Sequence, residues 1–139
     1  MAKKKFRILI VASDFYSNIT SKMIISAEEE LKKNKCSFDI LRVNGSLEIP
    51  TMIAIKLKKN KYDGAIALGC IIKGQTNHNE VIANTIATSL VNISVENLKP
   101  VGNAVLSCNN LTQAQARTKG SKNRPAEAVN AIISVLDNI

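Results

Sequence analysis

Four short apolar segments, "FRILIVAS", "SFDILRV", "DGAIALGCII" and "PVGNAVLSC", recur along the chain, and each is separated from the next by a stretch of helical periodicity. Nothing else in the sequence narrows the fold as much. Nearly continuous apolar runs of this length are what strands covered on both faces require. After the first of them, "ITSKMIISAEEELKKN" sets Ile24, Ala27 and Leu31 on one face and ends in lysines, which suit the negative end of a helix dipole. Ile82, Ile86, Leu90 and Ile93 repeat the stripe after the third strand. Val129, Ile132, Ile133 and Leu136 repeat it at the C-terminus, with Pro125 placed to open that helix.

The order βαβαβαβαα predicts a four-stranded parallel sheet with right-handed crossovers and helices on both faces, a three-layer α/β/α sandwich of flavodoxin-like class. With 139 residues, 45% of them hydrophobic, the chain is expected to form one domain over 1–139. Nineteen Lys and Arg against eleven Asp and Glu give a net charge of +8, but the lysines are scattered as solvated punctuation near helix ends. Only 4% of residues are aromatic, too few for the stacking platforms of single-stranded nucleic-acid readers, so a nucleic-acid partner is not expected. Cys36, Cys70 and Cys108 lie far apart with no CxxC and no histidine pair. Neither a zinc site nor a disulfide framework is indicated, and a reducing cytoplasm fits. The start "MAKKKFRILIVAS" is strand-like and runs at once into Asp14, unlike a signal peptide, and no segment approaches a membrane span.

In an open parallel sheet the ligand crevice lies outside the carboxyl ends of the strands. Those ends are "SDFYSN", "NGSLEIP", "KGQTNHN" and "SCNN", and the polar and aromatic singularities of the sequence collect there. Phe15 either offers a ring face to a flat ligand or folds back as a plug. "NGSLEIP" is either a loop whose Ser46 and Glu48 meet the polar edge of a heterocycle or an ordinary turn with a helix-start acid. In "KGQTNHN", Gly74, Gln75 and Thr76 offer backbone N–H groups and a hydroxyl at the positive end of the following helix, a natural phosphate cradle. The motif is neither a Walker loop nor GxGxxG, which disfavours a nucleoside triphosphate or a dinucleotide. His78, the only histidine, falls in the first helical turn, where the dipole favours the neutral imidazole that a general base needs; a solvated or capping histidine is the plainer alternative. Arg117, after "NNLTQAQA", either clamps a phosphate bidentately or is a surface arginine.

Read together in chain order, "SDFYSNITSK", "VNGSLEIP", "ALGCIIKGQTNH", "PVGNAVLSCNNLTQAQAR" and "NRPAEAVNAI" resemble the lumazine synthases over nearly the whole chain. The resemblance implies condensation of 5-amino-6-(D-ribitylamino)uracil with 3,4-dihydroxy-2-butanone 4-phosphate. The products would be 6,7-dimethyl-8-ribityllumazine, phosphate and water, in the penultimate step of riboflavin biosynthesis, with no metal or organic cofactor. It further implies that Phe15 stacks on the uracil and that Ser46, Leu47 and Glu48 hold its polar edge and ribityl chain. Cys70, Ile71 and Ile72 would line the same pocket. Gln75, Thr76 and Arg117 would bind phosphate, with Lys119 or Lys122 as a possible helper, and His78 would move protons. Departures from the family habit fall at Lys73, Asn79 and Asn103, where Arg, an aromatic residue and Phe are common.

The same resemblance implies a cyclic homopentamer whose sites lie between subunits, with Asn103 and Arg117 supplied by the neighbouring chain. The five residues before "FRILIVAS" and the basic turn "RTKGSKNRP" lead us to expect isolated rings, or at most a pair, rather than a capsid. Two other classes compete for the same sequence. A non-catalytic flavin or lumazine carrier would use the same pocket but has no need of a phosphate cradle beside a base. A flavodoxin-like electron carrier would need a hydroxyl-rich first loop, which is lacking.

Overall fold

The computed structural model describes residues 5–74 and 78–139. In chain order the elements are β1 (Arg7–Ser13), α1 (Ser17–Lys33), β2 (Ser37–Val43), α2 (Ile49–Leu57), β3 (Gly64–Ile72), α3 (His78–Asn97), β4 (Val101–Cys108), α4 (Leu111–Ala116) and α5 (Arg124–Leu136). Single 3-10 turns at Ser46–Glu48 and Gly120–Lys122 precede α2 and α5. The expected order of strands and helices is therefore the observed one.

All four strands are parallel, in the order β2-β1-β3-β4. The chain steps outward from β1 to β2, then returns across β1 to lay down β3 and β4 on its other side. The switch in direction falls between β1 and β3, which opens a crevice at their carboxyl ends. Successive side chains of a strand point to opposite faces, so the central strands feed two cores. Ile8, Ile10, Ala12, Ile66, Leu68 and Cys70 meet Met23, Ala27 and Leu31 of α1 and Val129 and Ile132 of α5 on one face. Leu9, Val11, Ala65 and Ala67 meet Ile49, Ile53 and Leu57 of α2 and Ile86 and Leu90 of α3 on the other. The stripes read from the sequence are these inward faces.

The helix boundaries have local causes. Pro50 and Pro125 occupy first-turn positions of α2 and α5, where a missing N–H costs nothing. The side chains of Asn110 and Asn123 accept from the Gln113 and Ala126 N–H groups at 2.9 and 3.1 Å and so cap α4 and α5. One expectation needs correcting: the strands are not all covered on both faces. β2, at the sheet edge, is only half-buried, and its Asp39 and Arg42 face solvent and make ion pairs with Arg7 and Asp14. An edge strand lacks a neighbour on one side, and its apolar letters are correspondingly diluted with charge.

Candidate functional site

The loop after β1 presents the first candidate side chain. Asp14 and Phe15 donate their backbone N–H groups to the Val43 and Asn44 carbonyls at 2.7 and 3.0 Å, which extends the β1–β2 pairing past the strand ends. Tyr16 then takes a left-handed conformation (φ 59°), unusual for a residue with a Cβ, and the chain turns sharply into α1. The turn throws the Phe15 ring outward, 64% exposed, with Tyr16 packed edge-on at 4.8 Å between ring centroids.

After β2 the 3-10 turn brings Ser46, Leu47 and Glu48 over the end of β3. Ser46 is buried, and among the described residues its Oγ has no hydrogen-bond partner. Leu47 is half exposed. Glu48 turns back on its own loop, its Oε1 accepting from the Gly45 N–H at 3.0 Å. The turn can settle this low because the strand beneath it has a glycine: a Cβ at Gly69 would stand 2.5 Å from Ser46 Oγ.

Between these loops lies a cavity of about 290 Å³ lined by Phe15, Tyr16, Gly45, Ser46, Leu47, Glu48, Cys70, Ile71, Ile72 and Ile82. It sits at the switch point of the sheet. Seven of the twelve residues named from the sequence line it, drawn from three separate strand ends. A second hollow of about 380 Å³ opens at the amino ends of the strands beside Phe6, Asp63 and Lys99 and holds none of them. Tyr16 was not named from the sequence and Ile82 was named only as part of a core stripe; their signals as site residues were adjacency to Phe15 and a position one helical turn beyond His78.

The wall is apolar and chemically quiet. Burial pushes the Cys70 thiol up to about 12, with a smaller contribution from the nearby Cys108, so Cys70 is a protonated part of the lining and not a nucleophile. His78 opens α3 and is exposed. Gln75 and Thr76, the expected phosphate cradle, lie outside the described residues.

His78, Asn103 and Arg117 are not among the residues that line this cavity. Asn103, paired with Ala67 on β4, folds its Oδ1 back to accept from the Val105 N–H at 2.9 Å. Arg117 ends α4 and rests its guanidinium against Cys108, with Nη1 3.6 Å from Sγ. Burial raises the Cys108 pKa, partly countered by the positive charges of Arg117 and Arg124. Arg124, not named from the sequence, ties these parts together. Its backbone N–H donates to the Arg117 carbonyl at 2.9 Å, and its Nη2 reaches the Asn103 carbonyl at 3.5 Å. Among the described residues no cluster of three or more His, Cys, Asp or Glu side chains is placed to hold a metal ion, and no helix is long and apolar enough to cross a membrane.

Comparison with known proteins gives a consistent result. The sequence model of the 6,7-dimethyl-8-ribityllumazine synthase family matches residues 5–139. A 6,7-dimethyl-8-ribityllumazine synthase of Bartonella henselae is 38% identical over 136 residues, covering 96% of this chain and 88% of the relative. The protein named 6,7-dimethyl-8-ribityllumazine synthase 1 in Rhodopseudomonas palustris is 38% identical over 136 residues, with 94% and 83% covered. One from Beijerinckia indica is 42% identical over 113 residues, covering 80% of this chain and 62% of the relative. With a match over nearly its whole length and a cavity at the switch point of its parallel sheet, the chain belongs to the 6,7-dimethyl-8-ribityllumazine synthase family.

Proposed function

We propose that this chain is an enzyme of riboflavin biosynthesis, a transferase that joins 5-amino-6-(D-ribitylamino)uracil to 3,4-dihydroxy-2-butanone 4-phosphate and releases 6,7-dimethyl-8-ribityllumazine, phosphate and water. The observation that carries the reading is the cavity at the β1–β3 switch point, with an exposed aromatic ring in its wall and Ile82 of α3, four residues after the histidine that opens that helix, in its lining. In this reading Phe15 stacks on the uracil, and the Ser46–Glu48 turn meets its polar edge and the ribityl chain. Cys70, Ile71 and Ile72 exclude water from one side. Gln75, Thr76 and Arg117 hold the phosphate.

The chemistry assigns work to each group. The uracil's amine attacks the ketone carbon, and loss of water forms an imine. Withdrawal of the proton on the next carbon lets the phosphate leave, and its charge is met by the Arg117 guanidinium. The enol that results takes up a proton to become a methyl ketone, and the ribityl-bearing amine closes on it with loss of a second water. His78 carries protons at these steps. Holding amine and ketone together contributes as well, since the two react once they are brought face to face.

We also propose a cyclic homopentamer in the cytoplasm, each chain a single domain and each site completed by a neighbour. In support, Asn103 and Arg117 do not line their own chain's cavity, and no disulfide joins the three cysteines. Lys119, Lys122 and Arg124 crowd the turn before α5 and oppose stacking of rings into a shell. Two experiments test this. Purified protein mixed with both substrates should develop the fluorescence of the lumazine product, and no product would refute the activity while leaving a carrier. Light scattering at moderate salt should find five times 15.1 kDa, about 75 kDa; a monomer with full activity would refute the shared site.

A further inference from the structure

The helix that carries His78 is attached to the sheet in an unusual way at its first turn. α3 runs for 20 residues, yet its buried positions are Asn79, Ile86 and Leu90. Nothing buried lies between Asn79 and Ile86, two turns further on. A helix start is the part most prone to fray, because its first N–H groups have no intrahelical partners. Ile82 packs half-buried on the core one turn later, but within the first turn itself the one buried side chain is polar. Asn79 is 8% exposed, and its Nδ2 donates to Ser107 Oγ at 3.2 Å. Its Oδ1 is buried, with no partner among the described residues.

Ser107 belongs to the rigid end of the sheet. It pairs with Ile71 in the β3–β4 register, and the next residue, Cys108, accepts from the Lys73 N–H at 2.8 Å just after β3 ends. An apolar side chain would bury at position 79 without leaving an orphan acceptor, but it would anchor the turn without a preferred rotation. A hydrogen bond is directional and sets rotation as well as depth. Successive helical residues are about 100° apart, so while Asn79 faces the sheet His78 turns to the side. His78 and Ile82, four residues apart, share a face, and Ile82 lines the cavity.

We infer that Asn79 is a positioning residue: its hydrogen bond to Ser107 fixes the first turn of α3 so that His78 stands over the rim of the cavity. The inference rests on the proposed role of His78 in proton transfer, and it concerns a position where this chain departs from the family habit.

The test is a double-mutant cycle on the full-length enzyme with both substrates. Asn79→Ala and Ser107→Ala should each lower kcat by about three- to thirtyfold, part of what positioned proton transfer supplies, with both KM values within about twofold of native. Ser107→Thr, which keeps the hydroxyl, should restore most of the rate. Placed in a His78→Ala background, neither alanine change should lower kcat further, because the group that it aims is gone. Native kcat in both single variants would overturn the inference. So would an undiminished loss in the His78→Ala background, the mark of a merely structural role. If Asn79→Ala fails to fold, Ser107→Ala removes a single oxygen and carries the cycle alone. A His78→Ala enzyme with native kcat would overturn the proton-transfer reading and the inference with it, an outcome distinct from loss of the Asn79 effect alone.

Discussion

Replacing Gly69 with alanine tests how the binding loop is seated. The glycine lies inside β3, fully covered, and the added Cβ would meet Ser46 Oγ at 2.5 Å, Ile49 Cδ1 at 3.3 Å and Ser46 Cβ at 3.4 Å. The first distance is far inside van der Waals contact, so the buried hydroxyl must turn to another rotamer or the turn above it must lift. Overpacking of this kind costs about 1–3 kcal/mol. The smaller conformational freedom of alanine in the unfolded chain returns about 0.4–1 kcal/mol. A net loss of about 1–2 kcal/mol remains, and for a chain of this length it should lower Tm by roughly 3–8 °C. The cause can be isolated. Ser46→Ala alone deletes a buried oxygen that has no partner among the described residues, and should be neutral or stabilising. Combined with Gly69→Ala it leaves contacts of 3.3 and 3.4 Å that small shifts absorb, so the pair should recover at least about 1 kcal/mol of coupling energy. Thermal and urea melts of the four proteins at one fixed protomer concentration make the measurement. A Gly69→Ala protein that melts with the native one, or no recovery on adding Ser46→Ala, would refute the steric account of the loop.

Three further predictions concern the site. Arg117→Ala should raise the KM for the butanone phosphate by about ten- to a hundredfold, the loss of a charge-assisted contact, and the KM for the uracil much less; equal effects in steady-state kinetics would remove Arg117 from the phosphate role. Phe15→Ala should weaken binding of flat pyrimidine analogues by about 1–3 kcal/mol in calorimetry, while Tm holds because the ring is mostly exposed. A fall in Tm with affinity unchanged would make the ring a plug. Cys70, with its thiol pushed up to about 12, should resist iodoacetamide at pH 9, where only about one thiol in a thousand is ionised, and react once the protein is unfolded in guanidinium. Because burial holds the proton on, reactivity should rise with pH, and mass spectrometry showing rapid alkylation of the native protein at pH 9 would contradict that burial.

Several parts of this protein were legible in the letters because they depend on local chemistry. A strand-length run such as "RILIVAS", apolar from Ile8 to Ala12, has one economical home, the middle of a parallel sheet, and β1 occupies it. The spacing of Val129, Ile132, Ile133 and Leu136 admits one helical face, and Pro125 marks where that helix begins. Strands followed by helices fix parallel pairing and, through it, the end of the sheet at which ligands gather. From that alone Phe15, Ser46 and Glu48 could be named, and they line one cavity with Leu47, Cys70, Ile71 and Ile72, which the resemblance added. The roles proposed for them, and the proposal that a neighbour supplies Asn103 and Arg117, came from the resemblance of five motifs in order.

Other features exist only in three dimensions. The order β2-β1-β3-β4, which puts Phe15 opposite Cys70, follows from where the chain crosses over, and no local pattern encodes a crossing. The need for glycine at position 69 comes from a serine 23 positions earlier in the chain, brought over it by the turn. The reach of Arg124 to the Asn103 carbonyl and the hold of Ser107 on Asn79 are likewise contacts between residues distant in sequence, and the exposed edge of β2 follows from its place in the sheet. Periodicity and propensity act over a few residues and so specify elements, whereas the depth at which a loop sits and the aim of a catalytic side chain depend on steric fit and directional hydrogen bonds between elements, which arise only when the chain is packed.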